Sequence, residues 1–193
     1  MQQRGLQRLW RYWVHQTPAN PRMIPMWYED KRAAIIGIDP GLKGGIAIIP
    51  VHNVRATMAH LMPTTAIPKS SKRDIDWEEL GRLVRPWVGP IYVERVHAMP
   101  KQGVTSTFKF GMGFGGILGV AGAYERRVVQ LTPQFWKKRV LSDYEERDKA
   151  AAIDYAQKTF PGVSLTPGKT RTPQDGLADA LCIARLGLTL EDI

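Results

Sequence analysis

The residues between positions 33 and 50 constrain the fold more than any other part of the chain. A continuous run of apolar residues (33 to 38) ends at the turn sequence Asp39-Pro40-Gly41. A second apolar run (46 to 49) follows, opened by Gly44-Gly45 and closed by Pro50. An unbroken apolar run is typical of a strand that is buried on both faces, and glycine and proline mark the turns that end it. The pattern therefore predicts a hairpin whose first strand lies inside a sheet.

Further along, predicted strands and helices alternate. Asp76 followed three residues later by Glu79 is a capping-box pattern, which predicts the start of a helix. The other predicted elements are strands around residues 54–61, 91–94 and 128–131, and helices at about 105–124, 133–141, 145–160 and 174–187. A hairpin followed by alternating strands and helices predicts an α/β fold, in which helices cover a mixed sheet.

The charge of the chain favours a polyanionic partner. The 193 residues, enough for one compact domain, carry a net charge of +9 at pH 7. Residues 95 to 142 hold eight basic residues against one acid, and Lys69, Lys72 and Arg73 form a second basic cluster. Such dispersed cations bind phosphate backbones, although a merely solvated basic surface has the same composition. No run approaches the roughly 20 apolar residues of a spanning helix, so no membrane role is expected.

Residues 1 to 32 are interpreted as a basic appendage to a domain formed by residues 33 to 193. Up to residue 28 they contain four arginines, no lysine and no acid, with aromatic residues interleaved. The segment lacks the apolar core of a secretory signal. Three alternatives stay open: an amphipathic helix docked on the domain, a DNA-contacting arm, or an artefact of the start site. The single cysteine, Cys182, lies in an apolar run, which favours a core residue in a reducing compartment.

Four acidic residues stand where catalytic groups are often found. Asp39 and Glu94 each close an apolar strand, and open α/β sheets place ligands and catalytic groups at such strand ends. Asp175 and Asp179 are four apart on a predicted helix, which puts both on one face and close together. A divalent cation would relieve their repulsion, and Mg²⁺ takes carboxylate oxygens while keeping waters for substrate phosphates. Each acid also has an ordinary alternative role as a turn residue, helix cap or solvated side chain.

Three motifs, in this order, resemble those of the RuvC family of Holliday junction resolvases. They are Ile36-Gly37-Ile38-Asp39-Pro40-Gly41, Tyr92-Val93-Glu94, and Asp175-Gly176-Leu177-Ala178-Asp179-Ala180-Leu181. The similarity covers roughly residues 33 to 188, and the last motif is most similar to the phage-type and chloroplast-type branches. The resemblance implies a ribonuclease H-like fold, with a mixed five-stranded sheet flanked by helices. It also implies a homodimer whose twofold symmetry matches that of a four-way junction.

The resemblance further implies roles for individual residues. Asp39, Glu94 and Asp179 match catalytic metal ligands. Asp175 matches the remaining catalytic acid and metal ligand, although bacterial members space this pair three residues apart rather than four. His97 stands where bacterial members carry an aromatic residue that stacks at the junction centre. Lys137 and Lys149 match family lysines near the scissile phosphate or the junction backbone. With residues of the basic stretches added, the expected DNA-binding residues are Lys137, Lys149, His97, Lys101, Lys69, Lys72 and Arg73.

The activity that the resemblance implies is Mg²⁺-dependent hydrolysis of DNA phosphodiesters, with Mn²⁺ as a substitute ion. Two metal ions would act at each site, and paired symmetric nicks would resolve a four-way junction. The expected location is the cytoplasm of a bacterium or of a phage-infected host, in preference to an organelle. Two alternatives share the fold: a less selective flap, fork or RNA-processing nuclease, and a branched-DNA binding protein that does not cleave.

Two other interpretations are disfavoured. Residues 111 to 116 match a dinucleotide-binding fingerprint (Gly-x-Gly-x-x-Gly), but they do not follow the first strand. We interpret these glycines as sites of close helix packing, against the sheet or a second subunit. The actin-like ATPases share the first-strand turn. Their second phosphate hairpin and adenosine-binding glycine pair are not visible in this sequence, so no nucleotide cofactor is expected.

Overall fold

A computed structural model of the chain describes residues 26–96 and 103–193. The strands in these two segments are β1 (Ala34–Asp39), β2 (Gly45–Pro50), β3 (Met58–Leu61), β4 (Thr64–Ala66), β5 (Arg73–Ile75), β6 (Ile91–Glu94) and β7 (Val128–Leu131). The α-helices are α1 (Trp77–Val84), α2 (Val104–Ala123), α3 (Pro133–Val140), α4 (Lys149–Thr159) and α5 (Asp175–Leu190). Met26–Glu29 and Val54–Ala56 are short 3₁₀ helices.

Five of the strands form one mixed sheet in the order β3-β2-β1-β6-β7. The central strand, β1, pairs antiparallel with β2 and parallel with β6, and β7 extends the sheet as a second parallel neighbour of β6. Helices cover both faces, which explains why every residue of β2 and nearly every residue of β1 is buried. The predicted α/β class and the predicted mixed five-stranded sheet are confirmed.

Successive side chains of β1 point to opposite faces and enter two separate cores. Ile35 belongs to the core under α3, α4 and α5, whereas Ile36 and Ile38 belong to the core under α1 and α2. This is the period of two that a strand imposes on its side chains. Continued to the end of the strand, the same alternation directs Asp39 to the face that α5 covers.

Helix α5 lies directly on the central strand at Gly37. A Cβ atom added to Gly37 would stand 2.3 Å from the carbonyl oxygen of Ala180 and 2.4 Å from the amide nitrogen of Ala184. Only glycine permits such an approach of a strand to a helix backbone. Cys182, on the same helix, is a buried free cysteine, so its prediction as a core residue is confirmed.

Several local features differ from the sequence-based expectation. The strand expected around 54–61 is a 3₁₀ turn followed by the shorter β3, and the β4–β5 hairpin was not predicted. Helix α4 begins four residues later than expected, because the side chain of Asp148 accepts a hydrogen bond from the Ala151 amide at 2.9 Å and caps it there. Helix α5 continues to Leu190, beyond the expected end. The Asp76 cap of α1 is confirmed by its 3.0 Å bond from the Glu79 amide.

The glycines of α2 have two different environments. Gly116 packs against the ring of Trp77, and a Cβ atom there would stand 2.3 Å from it, so the close partner at this position is helix α1 of the same chain rather than the sheet or a second subunit. In contrast, Gly111, Gly115, Gly119 and Gly122 have no neighbouring atom of the described residues within 4 Å of an added Cβ. Residues 26–96 and 103–193 therefore leave one side of α2 open. No helix in the part of the chain described here is long and apolar enough to cross a membrane.

The described part of the N-terminal segment contacts the domain. The ring of Trp27 lies against Gly89, and the imidazole Nε2 of His52 is 2.7 Å from the carbonyl oxygen of Tyr28. Both aromatic residues pack against the core under α5. Residues 1–25, which make up most of the proposed appendage, lie outside the described residues.

Candidate active site

The sheet places two of the four predicted acids side by side. Strands β1 and β6 are parallel neighbours, with Ile38 level with Val93, so the next residues, Asp39 and Glu94, end the two strands at the same height. Each follows a residue of the core under α1 and α2, and each therefore points to the opposite face, toward α5. Both carboxylates are partly buried.

The start of α5 brings the other two acids to the same edge. Gly176 forms a bridge with Gly44, in the turn that follows Asp39, and a Cβ atom on Gly176 would stand 2.3 Å from the carbonyl oxygen of Lys43. This close approach fixes Asp175, the first residue of α5, next to that turn. Asp179 lies one helical turn later on the same side of the helix. The four acids therefore meet at the carboxyl edge of the parallel strands.

The mutual influence of these acids appears in their ionisation. Burial, together with the negative charges of Asp179, Glu94 and Asp175, raises the pKa of Asp39 to about 8. Burial likewise raises the pKa of Asp179 to about 6. The Oδ1 atom of Asp179 is buried and has no hydrogen-bond partner among the described residues. A buried polar atom without a partner costs free energy, and a bound cation is one means of satisfying it.

Two of the predicted DNA-binding lysines accompany the acids. The ammonium group of Lys149, at the start of α4, forms an ion pair with Asp175, which lowers the pKa of that carboxyl. Lys137, on α3, stabilises the negative charge of Asp179 and so lowers its pKa, which partly offsets the effect of burial. The side chain of Lys149 is 76% exposed, so it can exchange a protein carboxylate for a phosphate oxygen from solvent. The site thus combines a carboxylate cluster with two cations at its border.

One residue of this site, Trp136, is not predictable from the sequence. Trp136, on α3, is fully buried, and its indole N–H donates a 2.9 Å hydrogen bond to Oε1 of Glu94. In the sequence, a tryptophan in a short helix indicates a core residue, and Trp136 is one. Its contact with Glu94 depends on how α3 docks beside β6, for which the local sequence carries no signal.

The other predicted DNA-binding residues fall into two groups. Lys69, Lys72 and Arg73 are exposed on the β4–β5 hairpin, which follows the edge strand β3. The guanidinium group of Arg73 is bonded to the side chain and carbonyl oxygen of Thr64 across that hairpin. His97 and Lys101 lie outside the described residues, so their predicted roles stay predictions.

The donor set fits a hard divalent cation. Within residues 26–96 and 103–193, no three His, Cys, Asp or Glu side chains already form an arrangement that could hold a metal ion. The unpartnered buried oxygen of Asp179 and the raised pKa of Asp39 are nevertheless the properties expected of carboxylates that a cation completes. Carboxylate oxygens are the ligands that Mg²⁺ and Mn²⁺ prefer. Asp39, Glu94, Asp175 and Asp179 are the residues that would hold such an ion.

The raised pKa of Asp39 predicts how the stability of the metal-free protein depends on pH. Because the folded-state pKa is about 8, well above the usual value of 3.8, the folded state holds a proton that the unfolded state releases. The free energy of unfolding should therefore fall as the pH rises from about 4 to about 8. We expect Asp39→Asn to remove the part of this fall that Asp39 contributes, leaving a smaller fall from Asp179, and to stabilise the protein at pH 8.5 by roughly 3–6 kcal/mol. Urea unfolding in EDTA at pH 5 and pH 8.5 measures the effect.

The matched control is Asp143→Asn, which removes an exposed carboxylate from the loop before α4. It should keep the pH dependence of the wild type. Equal stability of Asp39→Asn and wild type at pH 8.5 would show that Asp39 is not held in an unfavourable charged state.

The architecture is similar to that of a protein of known structure. The Thermus thermophilus RuvC structure is 20% identical to this chain, with a TM-score of 0.49, and the match covers 80% of this chain and 96% of that one. T. thermophilus RuvC in complex with Holliday junction substrate is 17% identical, with a TM-score of 0.55, covering 79% and 90%. At this identity the likeness to the complex shows the fold alone, and it confirms the ribonuclease H-like architecture that the RuvC motifs implied. No protein-family model and no curated protein sequence matches the chain.

Proposed function

We propose that this chain is a divalent-metal-dependent nuclease that resolves four-way DNA junctions. The observation that carries the proposal is the convergence of four acids, from β1, β6 and the start of α5, at one edge of the sheet, with Lys137 and Lys149 beside them. Two further observations support it: the order of the RuvC-like motifs in the sequence, and the fold shared with a RuvC that was solved in complex with a Holliday junction substrate.

Each side chain of the site has a chemical task in this reaction. Metal ions, when bound, would activate a water molecule and stabilise the leaving oxygen. Two carboxylates, those of Asp39 and Glu94, stand at the ends of neighbouring strands, and that of Asp179 stands in the second turn of α5. Because these elements are rigid, the carboxylates need little reorganisation to hold a cation. Lys149, which is exposed, and Lys137, which is half-buried, provide positive charge for the phosphate backbone beside the scissile bond.

Paired nicks require two active sites, and we propose that a homodimer supplies them. Phe108, Met112, Gly115, Gly119 and Gly122 follow one side of α2 at spacings of three and four residues. All of these residues are exposed in the part of the chain that the structure describes; Phe108 is 68% exposed. An open apolar side with small residues allows a second helix to approach closely. The same side of a second copy is the partner that a twofold axis would place there.

The dimer proposal predicts that Gly119→Glu yields a monomer. The position has open space around it, so the substitution leaves the monomer fold intact while it places a charge on the proposed interface. We expect the dissociation constant of the dimer to rise at least about tenfold, which corresponds to 1.4 kcal/mol. Analytical ultracentrifugation measures this change, and Gly162→Ala, in an open loop position away from α2, is the control. A Gly119→Glu protein that dimerises as tightly as wild type would place the interface elsewhere.

Cleavage of defined DNA substrates tests the proposed function. Purified protein with Mg²⁺ is incubated with synthetic four-way junctions, flaps, replication forks and linear duplex, in parallel with Glu94→Gln. We expect nicks at symmetric positions in the four-way junction, slower cleavage of the other substrates, and strongly reduced cleavage by the variant. Equal rates on flaps and forks would favour a less selective nuclease. Junctions that are bound but stay intact with both Mg²⁺ and Mn²⁺ would favour a non-cleaving DNA-binding protein.

A further inference from the structure

The hydrogen bond between Trp136 and Glu94 joins the core to the active site. The indole ring has 0% of its surface exposed, and its only polar atom lies 2.9 Å from Oε1 of Glu94. A buried N–H group that lacks an acceptor is costly, so the two side chains constrain each other. An apolar side chain of similar size would fill the same space without needing a hydrogen-bond acceptor. Packing alone therefore does not explain why the residue at position 136 bonds to Glu94.

The position of Trp136 follows from the pairing of the last two strands. Glu94 is level with Leu131 in the parallel β6–β7 pair, and the amide of Arg95 donates to the carbonyl oxygen of Leu131 at 2.7 Å. Thr132 then caps α3, its side chain accepting a bond from the Phe135 amide. Helix α3 therefore starts at the height of Glu94, and its first full turn places the Trp136 ring over that carboxylate.

We propose that Trp136 is a positioning residue that orients the carboxylate of Glu94 for the bound cation. The inference rests on the proposed function, in which Glu94 is a metal ligand. With Oε1 held by the indole, the carboxylate plane is fixed, and Oε2 has no side-chain partner among the described residues. Outer partners of this kind orient ligating groups in metal sites, and their loss weakens metal binding or activity by roughly 10–100-fold.

The indole differs from the other partner found at the cluster. Lys149 pairs with Asp175 through a positive charge, which repels an incoming cation and must move away when one binds. The indole of Trp136 is neutral, so it can keep its hydrogen bond while Glu94 binds a cation. Lys137 lies on the face of the same ring, with Nζ 5.3 Å from the ring centroid, and this cation–π contact further fixes the indole. Helix α3 thus supplies both an orienting donor for Glu94 and a positive charge near Asp179.

Two substitutions at position 136 separate the hydrogen bond from packing. Trp136→Phe removes the donor and part of the ring. Site-specific incorporation of 3-benzothienylalanine replaces the N–H by sulfur and keeps the shape of the ring. We expect both proteins to bind Mn²⁺ about 10–100-fold more weakly than wild type, by calorimetry without DNA. The Mg²⁺ concentration for half-maximal junction cleavage should rise in the same proportion, while junction affinity in Ca²⁺ stays unchanged. Phe160→Leu, a packing loss in the same core that spares Glu94, is the control.

The outcomes distinguish this inference from the proposed function. Wild-type Mn²⁺ affinity in the benzothienylalanine protein would overturn the positioning role, whatever the cleavage results. The same loss of affinity in Phe160→Leu would assign the effect to packing and would overturn it as well. If wild type binds Mn²⁺ but cuts no junction, the proposed function fails, and the Mn²⁺ affinities alone still decide the role of Trp136. A wild-type protein that binds no Mn²⁺ would overturn both.

Discussion

Replacing Glu94 by glutamine should lower the single-turnover rate of junction cleavage by on the order of 10³-fold, while junction affinity in Ca²⁺ changes by less than about twofold. The expected loss reflects several kcal/mol of charge stabilisation that a metal site contributes to the reaction. Glutamine keeps the volume of the side chain, and its amide oxygen can still accept the hydrogen bond from Trp136. The substitution therefore removes the charge and leaves the packing around it. Rapid-quench cleavage of a four-way junction, with binding measured separately, gives both quantities.

A glutamate outside the cluster is the matched control for this prediction. Glu145 is exposed in the loop that precedes α4, and Glu145→Gln removes the same charge from the chain. It should cleave at the wild-type rate. If Glu94→Gln retains more than about a tenth of the wild-type rate at saturating Mg²⁺, Glu94 does not act as a metal ligand, and the proposed metal site lacks one of its four carboxylates.

The four acids do not have equal environments. Asp39 and Asp179 are held where burial raises the pKa of each carboxyl, whereas the pKa of Asp175 is lowered because Lys149 is paired with it. The negative charge of Asp175 is therefore already balanced by Lys149, and a metal cation must compete with Lys149 for this carboxylate. Bacterial RuvC motifs space the C-terminal pair of acids three residues apart, whereas Asp175 and Asp179 are four apart. Asp175 therefore differs from the other three acids both in its motif position and in its electrostatic environment.

The sequence was sufficient for the parts of the fold that strong local patterns control. The unbroken apolar runs of β1 and β2 need burial on both faces, and this alone predicts a sheet covered by helices. The Asp76 cap is a contact between near neighbours, which a motif can encode. The position of Asp39 beside Glu94 was predictable because parallel strands end at a common edge of the sheet.

The features that were missed are either too short to leave a sequence pattern or depend on contacts between distant segments. The β4–β5 hairpin consists of two strands of three residues each, which are too short to produce an alternating apolar pattern. The pairing of Lys149 with Asp175 joins two helices, and the bond from Trp136 to Glu94 joins a helix to a strand 42 positions earlier. Composition cannot reveal such pairs, because each side chain has an ordinary role within its own element.

Replacing Gly37 by alanine should destabilise the protein by at least about 3 kcal/mol and abolish cleavage. The added methyl group would stand 2.3 Å from the carbonyl oxygen of Ala180 and 2.4 Å from the amide nitrogen of Ala184, both backbone atoms of α5 that cannot rotate away. Overpacking a core costs about 1–3 kcal/mol when side chains can adjust, and a clash with backbone exceeds that range. The helix must lift from β1. Urea unfolding monitored by circular dichroism measures the loss.

The effect of Gly37→Ala on function follows from the same displacement. Asp179 precedes Ala180 by one residue, so any shift that clears the methyl group also moves this acid relative to Asp39 at the end of β1. Cleavage should therefore stay low even at temperatures at which the variant is folded, and Mn²⁺ affinity should fall with it. Gly162→Ala, in a loop with open space around the added methyl group, should change stability by less than about 1 kcal/mol. A folded Gly37→Ala protein with wild-type Mn²⁺ affinity would show that the contact of α5 with β1 does not set the spacing of the acids.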